Sequence, residues 1–269
     1  MMKRARSRRL KALPVNSLIP NVLTILALCA GMSAIRFALL DKWEAAVAAV
    51  AIAGVFDGLD GRMARLLKGA TKFGAELDSL SDFIAFGVAP AFVVYMWSTH
   101  DLKGIGWIAA LAFSTCCALR LARFNTALED PDRPAWTGLY FSGLAAPAGA
   151  GIAMLPVMFS FLVGDELFRQ PVLVSLWMLF VGLLMISRVP TYSLKRLRVR
   201  REHVLPTLVL VGLLAAVMVS YPWVVLSAVG CIYLFSIPFS MRSQRQFAAG
   251  RKELKASRES ASEKPADAE

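Results

Sequence analysis

Four aspartates stand close together between long apolar stretches, in the run DGLDGRMARLLKGATKFGAELDSLSD that begins at Asp57 and ends at Asp82. Asp57 and Asp60 are spaced i, i+3, and Asp78 and Asp82 i, i+4, so on two helices each pair projects from one face. An aspartate in the middle of a spanning helix costs roughly 2.5–3.5 kcal/mol. Four of them need compensation, and divalent cations are the evident source. Ligands that are all oxygen favour magnesium, manganese or calcium over zinc. Magnesium or manganese held by carboxylates commonly binds phosphates, and two such ions can clamp a group in transfer. Gly61 and Ala64 fall on the same side as Asp57 and Asp60 and leave room for something bulky, while Arg65 suits a phosphate oxygen or a neighbouring carboxylate. These residues point to a metal-assisted phosphoryl-type reaction at a membrane face. They do not name its substrate.

Such a site needs a scaffold that holds charge beside lipid. The mean hydropathy of +0.57 and the 57% hydrophobic content of the 269 residues lie outside the range of a soluble domain. Apolar runs separated by short charged loops predict an all-α, polytopic integral membrane helical bundle of about 8 transmembrane helices. The expected spans are about 18–40, 43–66, 76–98, 104–126, 138–162, 171–188, 204–220 and 222–241, each near the roughly 20 residues needed to cross the hydrocarbon core. Helices are the default because backbone polar groups in lipid must pair within the segment. A basic cytoplasmic N-terminus (1–17) is expected before the transmembrane domain (18–241), and a disordered cytoplasmic tail (242–269) after it. The first apolar run is too long for a signal peptide and has no cleavage site, so it reads as a retained span.

The net charge of +11 is unevenly placed. One side of the membrane receives Lys3 to Lys11, then Arg65, Lys68 and Lys72, then Lys195 to Arg201, then Arg242 to Lys252; the opposite loops hold few basic residues. The positive-inside rule places both termini and the aspartates at the cytoplasmic face. These basic clusters flank apolar spans without interleaved aromatics, so no nucleic-acid partner is expected. Cys29, Cys116, Cys117 and Cys231 lie in apolar runs without CxxC spacing, and His100 and His203 are far apart, which argues against a zinc site.

The pattern Asp57-x-x-Asp60-Gly61-x-x-Ala64-Arg65, then Gly74-x-x-x-Asp78-x-x-x-Asp82, resembles the full signature of the CDP-alcohol phosphatidyltransferase family, with eight fixed positions over 26 residues. The longer strings around it, with IPNVLT near the start and ALRLARFN at Ala118–Asn125, resemble the bacterial, membrane-integral, serine-using branch of that family. The resemblance implies a six-helix catalytic core in the bacterial inner (cytoplasmic) membrane and a homodimer. It also implies transfer of the phosphatidyl group from CDP-diacylglycerol to L-serine with release of CMP, supported by two Mg2+ or Mn2+ ions. Carried onto this chain, Asp57, Asp60 and Asp78 are shared metal ligands. Asp82 completes the coordination of the second metal and acts as general base. Gly61, Ala64, Arg65 and Gly74 line the CDP site, and Asn21 and Thr24 meet the donor's phosphates.

For the acceptor, Arg120, Arg123 and Asn125 near the end of the fourth span are candidates, an arginine binding the serine carboxylate, with Lys72 and Thr71 as weaker ones. The plain alternative is that these arginines anchor a helix end and snorkel. Within the same chemistry the acceptor could instead be glycerol 3-phosphate, inositol phosphate or choline. The rival class, an ion-coupled transporter, would place its carboxylates at mid-bilayer in broken helices of paired repeats, and no repeat is visible.

Overall fold

The computed structural model describes residues 15–67, 69, 71–129, 140–187, 190–192 and 204–237. Most of the basic N-terminus, the cluster Lys195–Arg201 and the tail 242–269 lie outside the described residues.

The chain runs through α1 (Val15–Ala38), α2 (Trp43–Leu66) and α3 (Lys72–Asp82). A π-helix (Phe83–Val88) then leads directly into α4 (Ala89–Trp97). After a 3₁₀ turn at Thr99–Leu102 come α5 (Gly104–Glu129), β1 (Tyr140–Ser142), α6 (Ala146–Ala153), α7 (Leu155–Val163) and α8 (Asp165–Phe168). The remainder is α9 (Pro171–Ile186), β2 (Pro190–Tyr192), α10 (Val204–Ser220) and α11 (Pro222–Ile237). Helical segments therefore occur at all the expected apolar runs.

Among the described residues, four stretches are long and apolar enough to cross a membrane: Leu18–Ala38, Lys72–Trp97, Gly104–Ala127 and Ala146–Val163. The pair α10–α11, bent by 117° at Tyr221, makes up to five. The protein is an integral membrane helical bundle. α2 has 24 residues, about 36 Å of helix, but Asp57, Asp60, Arg62 and Arg65 crowd its last ten residues.

Small residues set how closely the first helices pack. On α1 the buried stripe is Thr24, Ala27, Gly31, Ala34 and Ala38, alternating three and four residues apart. On α2 it is Ala46, Val47, Ala49, Val50, Ala53 and Asp60. Helices in lipid associate through van der Waals packing and hydrogen bonds, so small side chains bring the backbones together. A Cβ on Gly31 would lie 2.7 Å from the Ala85 Cα in the π-helix, a contact that excludes any side chain there. Ala46, Ala53 and Asp60 are seven residues apart in turn, so Asp60 takes the next place in the stripe that α2 turns inward.

The π-helix widens the third span just after Asp82. Its looser i→i+5 geometry leaves carbonyls exposed to side-chain donors, and Ser114 Oγ of α5 donates to Gly87 O at 3.1 Å. At the far end of α4, Arg169 Nε donates to Trp97 O at 2.9 Å and Ser98 Oγ donates to Arg169 O at 2.8 Å.

The fifth apolar run differs from expectation at its start. A helix from residue 138 was expected, but the described chain forms β1, turns at Gly143 (φ +83°) and becomes helical only at Ala146. A left-handed glycine followed by Pro147 in the first turn favours a late helix start. β1 pairs antiparallel with β2, Tyr140 opposite Tyr192 and Ser142 opposite Pro190, tying the entrance of α6 to the exit of α9.

Candidate active site

The four aspartates meet between the second half of α2 and the second half of α3. α2 closes with Leu67 N donating to Met63 O at 2.9 Å, and Gly69 N returns to Ala64 O at 3.0 Å. Thr71 then caps α3, its hydroxyl accepting from Gly74 N at 3.0 Å. Serine, threonine or aspartate at this position satisfies an N–H that the helix cannot. Both helices pack against α1, which sets their acidic faces toward one another. One oxygen from each of Asp57, Asp60 and Asp78 lies within 4.8 Å of the others. Asp82, one turn beyond Asp78, meets the Asp57 side chain.

Among the described residues none of these carboxylates forms a salt bridge. The charge of Arg120 of α5, a residue only 9% exposed, acts on Asp82 and Asp57. Three converging oxygen donors without a side-chain counter-ion fit a hard divalent cation such as Mg2+ or Mn2+. Asp57, Asp60 and Asp78 would hold it, with Asp82 beside Asp57 able to join a second.

The cluster opens into a cleft lined by Pro20, Asn21, Thr24, Asp60, Gly61, Ala64, Gly69, Thr71, Gly74, Ala75 and Asp78. Of the residues expected to hold the donor, Asn21, Thr24, Asp60, Gly61, Ala64 and Gly74 are thus brought together. A Cβ on Gly61 would meet nothing within 4 Å, so it would project into free space, whereas one on Gly74 would lie 2.8 Å from Asn21 Oδ1. Arg65 is exposed in the last turn of α2 and is not among the cleft's lining residues. A second cavity, lined by Asp41, Trp43, Trp97 and Asp165 among others, lies at the opposite ends of these helices and contains no motif residue.

Thr24 Oγ1 donates to Asp60 Oδ2 at 2.7 Å and lies 3.1 Å from Pro20 O, so its single proton serves mainly the carboxylate. The acceptor candidates separate. The Arg120 guanidinium sits 5.7 Å above the Phe124 ring and within electrostatic reach of Tyr233 of α11. Arg123 donates to Ile186 O at 2.6 Å and Ser187 O at 3.2 Å, the carbonyls at the end of α9. Asn125 Nδ2 donates to Ser79 Oγ at 2.8 Å, next to Asp78. Lys72 is exposed at the start of α3. Sequence reasoning passed over Ser81, Phe124 and Tyr233. Only Ser81 carried a signal, its place between Asp78 and Asp82.

Sequence comparison agrees with this geometry. The chain is similar to a CDP-diacylglycerol–serine O-phosphatidyltransferase of Mycobacterium leprae (strain TN), 38% identical over 93% of this chain and 82% of the relative. Proteins of the same name from Mycobacterium tuberculosis (strain H37Rv) and Helicobacter pylori (strain 26695) are 36% and 34% identical. They cover 86% and 69% of this chain, and 80% and 77% of their own lengths. The family profile described as CDP-alcohol phosphatidyltransferase matches residues 17–186, and a second, CDP-alcohol phosphatidyltransferase 2, matches residues 202–238. The first profile spans the helices that carry every cleft residue, and the chain belongs to the CDP-alcohol phosphatidyltransferase family.

Proposed function

We propose that the protein is a CDP-diacylglycerol–serine O-phosphatidyltransferase of the bacterial inner membrane. In this reading it transfers the phosphatidyl group from CDP-diacylglycerol to L-serine and releases CMP. The observation that carries it is the convergence of Asp57, Asp60 and Asp78 within 4.8 Å of one another, the latter two on the wall of a cleft, in a chain whose relatives bear that name.

Two Mg2+ or Mn2+ ions bound by Asp57, Asp60, Asp78 and Asp82 would neutralise the diphosphate and the developing charge on CMP. The protein's own contribution is placement. Gly61, Ala64 and Gly74 leave space for the nucleotide, and Asn21 presents its amide there. Asp82 takes the proton from the serine hydroxyl as that oxygen attacks the phosphorus of the phosphatidyl group. The new P–O bond forms in line as the bond to CMP breaks. Asp82 then returns its proton to water. The carboxylate is a modest base, so much of the rate arises from orientation.

Arg120 is the residue that receives the serine carboxylate in this scheme. It is nearly buried beside Asp82, whereas Arg123 is engaged at the end of α9. Asn125 supports Ser79 and the edge of the pocket. The finer organisation has three sources: eight crossings from the apolar runs, both termini and the cleft in the cytoplasm from the charge pattern, and two copies per assembly from the family resemblance.

Purified protein given CDP-diacylglycerol and Mn2+ should release CMP on addition of L-serine, and chelation with EDTA should abolish release. CMP release with glycerol 3-phosphate but not with serine would refute the acceptor. Full activity after chelation would refute the metal centre.

A further inference from the structure

Thr24 is the polar member of the small-residue stripe on α1, and Ser81 is buried on α3 at 2% exposure, facing that stripe. At such a position alanine would pack equally well. A hydroxyl adds direction, and here the two polar residues meet: Ser81 Oγ donates to Thr24 O at 3.0 Å. Thr24 Oγ1 in turn donates to Asp60 Oδ2 at 2.7 Å. Thr24, Asp60 and Ser81 are all at most 5% exposed, so water does not compete for these bonds. A continuous buried chain thus runs from α3 through α1 to α2, joining the helices that carry the two acidic pairs. Ser81 lies three residues after Asp78 and one before Asp82, so its anchorage to α1 fixes the turn on which both stand.

We propose that Ser81 is a positioning residue for the carboxylate cluster: acting through Thr24, it holds Asp78 and Asp82 in register with Asp60 for divalent-ion binding. The inference rests on the metal centre proposed above. Groups that orient metal-binding carboxylates without touching the metal typically change affinity by 10–100-fold when removed.

The test is direct Mn2+ binding by full-length protein in detergent, read from the electron paramagnetic resonance signal of free Mn2+. The Mn2+ dependence of CMP release and the KM for serine are measured alongside. Ser81→Ala should weaken Mn2+ binding about tenfold and move the Mn2+ midpoint of turnover by the same factor. The serine KM at saturating Mn2+ should not change, although a general loosening of the fold would raise it. Thr24→Val should weaken Mn2+ binding at least as much, and Thr24→Ser, which keeps the hydroxyl, should restore it. Thr24→Val removes the hydroxyl on Asp60 but leaves the backbone carbonyl that Ser81 bonds, so the double variant Ser81→Ala/Thr24→Val should bind more weakly than either single variant.

Wild-type affinity in Ser81→Ala overturns the inference. So does a Ser81→Ala protein that aggregates, because one neutral hydrogen bond contributes too little to decide folding and Ser81 would then be serving the fold. Wild-type protein that binds no Mn2+ overturns the metal centre, and the inference with it. Binding by wild type with unchanged variants overturns the inference alone.

Discussion

Arg123 on α5 reaches the carbonyl of Ile186, 63 residues later in the chain, at 2.6 Å. Its second terminal nitrogen reaches Ser187 O at 3.2 Å. The last carbonyls of a helix have no partner within it and carry partial negative charge. A guanidinium placed on them both satisfies and neutralises the end of α9. The same nitrogen lies 3.0 Å from where a Cβ on Gly143 would stand, so the turn before α6 closes against it.

Arg123→Ala should therefore act on stability. Hydrogen bonds from a charged donor contribute about 1.5–3 kcal/mol each way they are lost, and the thermal midpoint in detergent should fall accordingly. The serine KM of the folded fraction should stay near wild type. A large KM increase without loss of stability would return Arg123 to the acceptor pocket.

Arg120→Ala should show the opposite signature. Losing a charged hydrogen bond to the acceptor carboxylate raises the serine KM about ten- to a hundredfold, while CDP-diacylglycerol binding is retained. Arg120→Lys should recover only part of this, because an ammonium keeps the charge but not the two-pronged geometry. Steady-state kinetics with serine varied would decide it.

Asp82→Asn removes the base and keeps the shape. Turnover should fall by about 10²–10⁴-fold, with CDP-diacylglycerol still bound through the other three carboxylates. Asp57→Asn should instead lose Mn2+ and donor binding together. Equilibrium binding of the donor alongside CMP release separates the two cases.

Gly74→Ala places a methyl 2.8 Å from Asn21 Oδ1. Forcing such a contact costs about 1–3 kcal/mol when the neighbour cannot yield. Here the neighbour is an amide inside the donor cleft. The KM for CDP-diacylglycerol should rise roughly tenfold with the thermal midpoint little changed. Gly61→Ala, whose Cβ meets nothing within 4 Å, should fold normally, and any loss of donor affinity there reports the ligand itself.

The catalytic end was legible in the sequence because its chemistry demands particular residue types at helical spacing. Carboxylates three and four residues apart, with glycine and alanine beside them, leave few alternatives inside an apolar chain. Asn21, Thr24 and Gly74 followed by resemblance, and the cleft gathers all three. What the sequence left hidden depends on contacts between distant segments. Nothing local distinguishes Arg120, buried beside Asp82, from Arg123, spent on α9, three residues later on the same helix. The pairing of β1 with β2 joins segments about 50 residues apart and cannot be read from either. The late start of α6 was partly visible in Gly143 and Pro147, but a hydropathy count is blind to the sign of a backbone angle.

The π-helix at Phe83–Val88 makes the third span two rods with different phase. Each residue of an ordinary helix advances about 100° around the axis. The added residue of a π turn rotates everything beyond it by that amount relative to an unbroken helix. Asp78, Ser81 and Asp82 belong to one rod, and the buried faces of α4 to the other. Deleting a single residue between them would leave composition and hydropathy almost untouched, yet would turn one half of the span against the other. The length of this segment is thus as much a part of the site as the acids that precede it.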